Sequence, residues 1–179
     1  MKYPLILVVL LGLCFISCER DDICSNDVPT TPSIIIRFYD VTNPNVDTEK
    51  QVVNLRIQGV GNSEVLPDYN IVATDSITIP LKTNDTITEY RLHKEYVVDD
   101  NDTEDDTSDD IVKGNEDIIT ISYNMEHEFV SRACGYKTIY NNVSINLVED
   151  DNNWIQLIRA VNDNQSVEDE NQQHFKIYH

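Results

Sequence analysis

The four cysteines are the residues whose chemistry follows most directly from their positions in this sequence. Cys14 lies in an apolar stretch near the start of the chain, Cys18 follows that stretch, and Cys24 and Cys134 lie beyond it. A cysteine thiol can be acylated, can pair in a disulfide, or can act as a nucleophile. The residues around each cysteine indicate which of these fates applies.

Residues 1–17 have the order of a secretory signal peptide. Lys2 precedes an apolar stretch over residues 4–16, and the small residue Ser17 comes next. This apolar core of about 13 residues is shorter than the roughly 20 that a membrane-spanning helix needs. We therefore predict that the segment is removed and that the mature chain begins at Cys18.

Cys18 is predicted to carry the lipid. Phe15-Ile16-Ser17-Cys18 resembles a lipobox, in which the thiol of the final cysteine receives diacylglycerol. Cys14 fits this motif less well because the bulky residue Leu13 precedes it. The alternative is an ordinary cleaved signal peptide followed by an unmodified cysteine.

The charged residues after Cys18 bear on where the protein is displayed. Glu19-Arg20-Asp21-Asp22 resembles the surface-export signal of Bacteroidota lipoproteins. The alternative is a solvated charged linker that carries no sorting information. The sequence therefore predicts an outer-membrane lipoprotein, either on the periplasmic face or at the cell surface.

The charge balance excludes nucleic acid as a partner. The chain has 13 Lys and Arg against 32 Asp and Glu, a net charge of −19, and loss of Lys2 with the signal peptide makes it −20. A nucleic-acid-binding surface needs a basic footprint, which this composition does not supply. Direct binding to anionic lipid headgroups is disfavoured for the same reason, so the expected membrane attachment depends on the N-terminal lipid.

Cys24 and Cys134 are the two thiols left once Cys14 has been removed and Cys18 acylated. Two cysteines in an oxidising compartment usually pair. They are 110 positions apart, and closing such a loop is predicted to stabilise the fold by roughly 4 to 5 kcal/mol. The alternatives are a buried free thiol or a nucleophile at Cys134.

Apolar residues recur at every second position after the proline-rich linker. In the first such stretch Ile34, Ile36 and Phe38 face one way, while Arg37 and Tyr39 face the other. This alternation is typical of strands that are half in a core. We assign residues 18–32 to the lipidated N-terminus and linker, and residues 33–179 to one folded domain.

The same pattern continues along the chain. Val53, Leu55 and Ile57 alternate with polar residues, and further strands are predicted at 76–81, 86–94, 117–123, 128–131, 136–140, 143–148, 154–161 and 175–178. No long stretch keeps helical periodicity, although residues 163–173 leave room for a short helix. We predict an all-β protein, a single antiparallel β-sandwich of immunoglobulin-like or transthyretin-like type.

Residues 99–110 interrupt the pattern with eight acidic residues in twelve. So many like charges cannot pack, which predicts a mobile loop between two strands. An EF-hand starting at Asp100 would need glycine and glutamate where Asp105 and Ile111 stand, so that motif fails. Weak cation binding and a solvated hairpin tip are the remaining interpretations.

Catalytic and metal-binding motifs are absent from the sequence, which contains no HExxH, GxSxG, CxxC, P-loop or dinucleotide-binding glycine pattern. Glu126-His127-Glu128 would place its histidine and its glutamates on opposite faces of a strand, which disfavours a shared metal. No cofactor or metal site is expected. A hydrolase would require a pocket in which His127 or His174 meets a carboxylate or hydroxyl.

Two kinds of surface site remain open. An exposed patch of aromatic residues would favour stacking on sugars, although core packing is the default for aromatic strand residues. The candidates are Tyr39, Tyr69, Tyr90, Tyr123, Tyr136, Tyr140 and Trp154. Ser76 and Thr86 each follow an aspartate and precede an isoleucine, which resembles the O-glycosylation sites of Bacteroidota; the alternative is that both residues simply open strands.

Several segments together resemble an uncharacterised family of Bacteroidota lipoproteins known as a domain of unknown function. They are residues 18–24, 35–40, 74–77, 129–140 and 152–155, of which the segment around Cys134 is the most specific. The family has no assigned activity, so the resemblance implies a cellular location and a single domain but no catalytic residues. It also favours the pairing of Cys24 with Cys134.

The function expected from the sequence is that of a lipid-anchored envelope protein, a non-enzymatic binding or structural module with a possible envelope protein partner. One alternative is a surface lipoprotein that binds glycans or peptides. A hydrolase of unfamiliar type is the third possibility. The sequence names no small-molecule ligand.

Overall fold

The structure is a computed structural model that describes residue 24, residues 30–102 and residues 107–179. The predicted signal peptide at residues 1–17, the predicted acylation site Cys18 and the charged residues 19–22 lie outside the described residues. Residues 103–106 of the acidic loop also lie outside them. In the described part of the chain, no helix is long and apolar enough to cross a membrane.

The described residues form nine strands in two sheets. The strands are β1 (Ile34–Tyr39), β2 (Val52–Gly59), β3 (Val65–Thr74), β4 (Ser76–Ile79), β5 (Ile87–Asp99), β6 (Ile111–Ser131), β7 (Gly135–Leu147), β8 (Leu157–Ala160) and β9 (Phe175–Tyr178). One sheet has the order β4-β1-β9-β8 and the other has the order β3-β2-β5-β6-β7. The prediction of an all-β protein is confirmed, and the two sheets are consistent with a sandwich.

One strand pair departs from the predicted antiparallel arrangement. β1 and β9 run parallel, with Ile36 opposite Phe175 and Tyr39 opposite Tyr178. A parallel pair needs a long crossover connection, and here the whole second sheet lies between the two strands in the chain. Alternation within one strand does not reveal the direction of its neighbour, so the sequence could not show this pairing.

The two sheets share one hydrophobic core, because alternate residues of their strands point into the space between them. The largest of the fully buried side chains come from both sheets: Ile34, Ile36, Phe38, Leu55, Ile57, Ile77, Ile79, Leu92, Ile119, Ile121, Tyr140 and Tyr178. Tyr39 was expected on the outer face beside Arg37, but it is only 5% exposed. Its ring packs 5.6 Å from that of Tyr178, and its hydroxyl donates to the Gln173 side chain.

A bulge at Asn54 changes which valine of β2 is buried. The sequence predicts that Val53, Leu55 and Ile57 share the inner face. Leu55 and Ile57 are buried, but Val53 is 50% exposed and Val52 is buried instead. Asn54 has a φ of 49°, and the register with β3 shifts between Val52 and Leu55. The extra residue reverses the alternation, as β-bulges do.

Strands β6 and β7 are longer than predicted. β6 runs without a break through both predicted segments, 117–123 and 128–131, and β7 runs through 136–140 and 143–148 as far as Leu147. Their pairing continues across a register shift between Ser122 and Asn124. On β7, Asn142 adopts a φ of 51°. Local bulges therefore absorb the polar interruptions that looked like strand ends.

Strand β3 was not predicted. Pro67 and Asp68 interrupt its alternation of apolar and polar residues, and Ile71 has a φ of 61°. β3 lies at the edge of its sheet, where proline is tolerated because one side of the strand makes no ladder hydrogen bonds. Its pairing with β2 is irregular at three places, so it leaves no clear period in the sequence.

Residues 163–173 do not form the short helix that the sequence would allow there. In its place this segment runs along the edge of β7, where Tyr140 and Val167 exchange two backbone hydrogen bonds. The N–H of Val143 also donates to the carbonyl of Gln165. These bonds cover part of an exposed sheet edge, and that gain depends on a distant strand rather than on local periodicity.

The two ends of β6 define two opposite ends of the molecule. One end is the connection between β5 and β6, here called the acidic turn, whose described acidic residues are Asp99, Asp100, Asp102, Asp109 and Asp110. The other end, here called the disulfide hairpin, consists of residues 126–140 of β6, β7 and the turn that joins them. β6 has 21 residues, a contour length of about 70 Å at about 3.3 Å per residue.

Candidate functional site

The disulfide hairpin holds the N-terminal segment through Cys24 and Cys134. Their sulfur atoms are 2.01 Å apart and their Cα atoms 4.9 Å apart, which is disulfide geometry. This is the pairing that the sequence favours, and it leaves neither a free thiol nor a nucleophile at Cys134. The N–H of Cys134 donates to the hydroxyl of Ser131 at 3.0 Å, which shapes the turn around the disulfide.

Gly135 closes this turn. Its φ of 73° lies in the left-handed region, which glycine adopts without steric cost. The residue lies opposite Ser131 in the ladder, just after the register shift that follows Phe129. The turn therefore places Cys134 at the tip of the hairpin.

A second contact ties the linker to the hairpin. The N–H of Thr138 donates to the hydroxyl of Thr31 at 2.9 Å, and Pro32 is buried. A cavity of about 320 Å³ lies between the linker and the hairpin, lined by Cys24, Thr30, Thr31, Val130, Cys134, Tyr136 and Lys137. The N-terminal segment is thus fixed to the hairpin by a covalent bond and a hydrogen bond.

Two aromatic side chains stand exposed beside the disulfide. Phe129 and Tyr136 lie opposite each other on β6 and β7, and they are 56% and 68% exposed. Their ring centroids are 5.4 Å apart in an edge-to-face arrangement. Large apolar groups at a hairpin tip add nothing to the core, so this pair is a candidate contact surface.

The charges around this pair largely cancel. Lys137 Nζ lies 3.0 Å from a carboxylate oxygen of Glu128, and the Lys137 side chain is only 15% exposed. Arg132 in the turn is exposed and is the one charged residue in the sequence from Phe129 to Tyr136. The tip is therefore apolar and weakly basic in a strongly acidic protein.

His127 lies on the same hairpin, where its ring meets a hydroxyl but no carboxylate. Its Nδ1 atom is 3.1 Å from the hydroxyl of Thr138. The neighbouring carboxylates are engaged elsewhere, Glu126 with Asn141 and Glu128 with a lysine. Among the described residues, no group of three or more His, Cys, Asp or Glu could hold a metal ion.

His174 is a buried structural residue. Its Nδ1 atom accepts a hydrogen bond of 2.9 Å from the N–H of Ile35, which ties the segment before β9 to β1. Burial lowers the pKa of His174, and the charge of Asp169 opposes this effect only in part. The side chain has no exposed surface, so no substrate can reach it.

The aromatic residues do not form an exposed platform, since most of the candidates are buried. Those that are less than a tenth exposed are Tyr39, Tyr90, Tyr123, Tyr140 and Trp154. Tyr69 bridges from the edge strand β3 to the backbone of Thr78 on β4, which closes one side of the sandwich. Burial raises the pKa of Tyr90 and of Tyr140 to about 12, so both act as hydrogen-bond donors to backbone carbonyls. Of these candidates, Tyr136 is the one whose side chain is largely exposed on the surface.

A second cavity, of about 290 Å³, opens between β2 and β5 at the side of the sandwich. Its lining is mainly apolar and includes Leu66, Pro80, Leu81 and Tyr90. The polar groups nearby already have partners, since the Tyr90 hydroxyl donates to the Pro80 carbonyl at 2.6 Å. The cavity is at the lower end of the range for ligand pockets, roughly 300 to 1,000 Å³.

Asp117 is a buried acidic residue that sequence patterns missed. Its two carboxylate oxygens accept hydrogen bonds from the N–H groups of Trp154 and Ile155, at 3.3 and 2.8 Å. Burial raises the pKa of Asp117, while these hydrogen bonds oppose that effect. The residue fixes the loop before β8 to strand β6 of the larger sheet. The only sequence signal for this role of Asp117 was its position on the inner face of β6.

The two possible glycosylation sites differ in accessibility. Thr86 is exposed in the turn before β5, where its N–H donates to the side chain of Asp85. Ser76 is half-buried at the start of β4 and its N–H bonds to Thr74. Of the two, Thr86 is the one that a modifying enzyme could reach in the folded protein.

Several side chains form bonds in the described part of the acidic turn. Asp99 pairs with Lys113, and this hydrogen bond lowers the pKa of Asp99. The side-chain amide of Asn101 donates to the carbonyl of Asp109 at 2.8 Å. These contacts join the two strands of the hairpin.

The fold and this site define a two-sheet, all-β protein whose N-terminal segment is fixed to a protruding hairpin by a disulfide. The chain belongs to a family of unknown function, DUF6452, whose match covers residues 54–179. This match confirms the resemblance to a domain of unknown function that the sequence indicated. The matched residues include the segment around Cys134. The match does not extend to the residues around Cys18 or to β1. No curated protein and no solved structure matches the chain.

Proposed function

We propose that this protein is a lipid-anchored component of the cell envelope that acts by binding or as a structural module, without catalysis. The observation that carries the proposal is the disulfide between Cys24 and Cys134. Disulfides persist in oxidising compartments such as the periplasm and the cell surface. Cys24 lies six positions after Cys18. An anchor at Cys18 would therefore act directly on the folded domain.

The non-enzymatic part of the proposal rests on the histidines and the buried carboxylate. His174 is buried and committed to a backbone N–H, and His127 has no carboxylate to orient it. Asp117 holds two backbone N–H groups. Each of these groups has a structural role that accounts for its position.

The proposed location is the outer membrane, on the periplasmic face or at the cell surface of a member of the Bacteroidota. Support comes from the order Glu19-Arg20-Asp21-Asp22 after the proposed lipid site. An envelope protein is the partner that this location favours. We further propose that the sandwich is related to immunoglobulin-like or transthyretin-like folds. An experimental structure with a strand order that neither fold can accommodate would reject this relationship.

The anchor can be tested by metabolic labelling of cells with an alkyne-tagged fatty acid. We expect the wild-type protein to incorporate the label and to sediment with membranes. Cys18→Ala should abolish incorporation of the label, because the acylated sulfur is lost. Cys14→Ala is the matched control and should leave both unchanged. Labelling that survives Cys18→Ala but is lost in Cys14→Ala would reject Cys18 as the anchor.

The alternative function is a surface lipoprotein that binds glycans or peptides. The exposed pair of Phe129 and Tyr136 favours it, because aromatic faces stack on sugar rings. A glycan array with wild-type protein and with Tyr136→Ala tests it. Specific binding that depends on Tyr136 would support this alternative, and the absence of binding would count against it.

A further inference from the structure

We propose that the tip of the disulfide hairpin rests in the interfacial layer of the membrane, with Phe129 and Tyr136 at the boundary between the lipid headgroups and the acyl chains. The molecule then stands on this tip with its acidic turn directed away from the membrane. This inference rests on the proposed lipid anchor at Cys18. It adds an orientation and a lipid contact that the anchor alone does not require.

The length of chain between the anchor and the hairpin limits where the tip can be. Six positions separate Cys18 from Cys24, and a fully extended chain of that length spans about 20 Å. The disulfide then fixes Cys24 to Cys134 with their Cα atoms 4.9 Å apart. The turn of the hairpin is therefore held within about the thickness of one leaflet and its headgroups from the acylated residue.

The side chains at the tip suit a membrane interface. Phe129 and Tyr136 are more than half exposed, and they form one edge-to-face pair. Aromatic side chains, and tyrosine in particular, are enriched at the level of the lipid headgroups because they combine an apolar body with a polar end. Val130 lies between the pair and the turn and adds apolar surface.

The distribution of charge favours the same orientation. From Phe129 to Tyr136 the one charged residue is Arg132, while Glu128 and Lys137 neutralise each other in an ion pair. At the other end of β6 lie the described acidic residues Asp99, Asp100, Asp102, Asp109 and Asp110. A negatively charged membrane surface therefore repels the acidic end more strongly than it repels the tip, whose tether carries the mixed charges of Glu19, Arg20, Asp21 and Asp22.

A lipid surface is favoured over a soluble partner because the tether has already brought it close. Two exposed rings bury too little area for a stable protein interface, which needs about 800 Å² on each partner. As the second contact of an anchored molecule, the same pair needs only a small affinity, since the effective local concentration of lipid is high. One acyl anchor and one weak apolar contact together form a two-point attachment.

The contact can be measured by fluorescence quenching with the acylated protein purified from membranes. The protein is reconstituted into vesicles of phosphatidylethanolamine and phosphatidylglycerol, with or without dibrominated phosphatidylcholine. Phe129→Trp places a reporter at the tip. Val112→Trp is the matched control, because Val112 is 53% exposed on the same strand at the acidic end. The native Trp154 is buried and contributes the same background to both variants.

We expect brominated lipid to reduce the emission of Phe129→Trp about twofold and to leave that of Val112→Trp nearly unchanged, because quenching requires contact with the acyl region. Tyr136→Trp should reproduce the Phe129→Trp result. Equal quenching of the two ends in an acylated, vesicle-bound protein overturns the inference and leaves the anchor intact. A blue shift of the tip reporter on adding glycans, without quenching by lipid, also overturns it and assigns the pair to sugar. Protein that carries no acyl group and stays off the vesicles overturns the proposed anchor and the inference together.

Discussion

Single buried polar residues impose the strongest constraints on this fold. Asp117, His174 and His179 are each nearly or completely buried, and each contacts the backbone of another segment. A hydrophobic pattern marks the positions that face the core but does not distinguish a buried carboxylate from a polar edge. The roles of these three buried residues depend on contacts with loops from distant parts of the chain, so the sequence alone could not predict them.

Replacing Asp117 by alanine should destabilise the protein. The change leaves the N–H groups of Trp154 and Ile155 without acceptors, and each unsatisfied buried donor costs about 1 to 3 kcal/mol. We expect a total loss of about 2 to 4 kcal/mol in the free energy of unfolding, measured by urea denaturation. Glu116→Ala, at the neighbouring exposed position, is the control and should change stability by less than about 0.5 kcal/mol. Equal stabilities of the two variants would contradict this role of Asp117.

His179 should make the fold sensitive to mild acid. Burial lowers its pKa to about 4, against about 6.5 in the unfolded chain. The stability that neutral His179 gives the fold is therefore fully present above pH 6.5 and is lost as the pH falls toward 4. The loss in the free energy of unfolding is at most about 3 kcal/mol. His179→Phe keeps an aromatic ring beside Phe38 and Trp154 and removes the titrating group.

The test is the difference in unfolding free energy between wild type and His179→Phe, measured from pH 7.5 to pH 4.5. As the pH falls, the wild type should lose unfolding free energy relative to His179→Phe. The comparison isolates His179 from Asp117, whose raised pKa acts in the opposite direction. A difference that stays constant with pH would show that His179 does not couple folding to protonation.

At the scale of strands and turns, alternation predicted most elements and bulges account for the errors. The core positions of β1, β5 and β9 follow the two-residue period. The period fails at Asn54, where one residue is inserted, and in β3, where a proline and a left-handed isoleucine remove it. It also splits β6 and β7 into pieces, because a strand can pass through polar residues when its partner stays paired. Pairing is a property of two strands, so one sequence segment cannot reveal it.

The bulge between β5 and β6 depends on Gly114. This residue has a φ of 110°, and a Cβ atom there would lie 2.5 Å from the Lys94 carbonyl oxygen and 2.6 Å from that of Glu95. Gly114→Ala should therefore cost more than about 2 kcal/mol in the free energy of unfolding, because backbone atoms must move. Gly61→Ala is the control, since Gly61 also has a positive φ but has open space around it.

We expect Gly61→Ala to cost about 1 kcal/mol, the penalty for the left-handed backbone alone. Both variants can be compared by urea denaturation under the same conditions. If they lose the same amount, the close approach at Gly114 does not constrain the hairpin.

At the scale of the whole molecule, one long hairpin strand separates a disulfide-bonded end from an acidic end. The sequence indicated both ends, through its cysteines and through its run of acids. It did not show that the two ends lie on opposite sides of the domain, or that Phe129 and Tyr136 become neighbours beside the disulfide. Both facts follow from the register of β6 with β7, which depends on the whole ladder and on its bulges.

Removing the disulfide should weaken the whole domain. Cys24→Ser combined with Cys134→Ser releases a loop of 110 residues, for which chain entropy predicts a loss of up to about 4 to 5 kcal/mol. Thermal unfolding should show a lower midpoint for the double variant, and reduced wild type should match it. Addition of a reductant should not change the double variant. A wild-type protein whose stability is unaffected by reduction would contradict the structural role of the bond.

The central claim is that the chain is acylated at Cys18 and closed by a disulfide between Cys24 and Cys134. Intact mass spectrometry of the mature protein from membranes, without reduction, tests both parts at once. We expect a chain that starts at Cys18, carries the mass of its acyl groups and has two hydrogens fewer than the reduced form. A mature chain that is unacylated, or that still contains residues 1–17, would contradict the account.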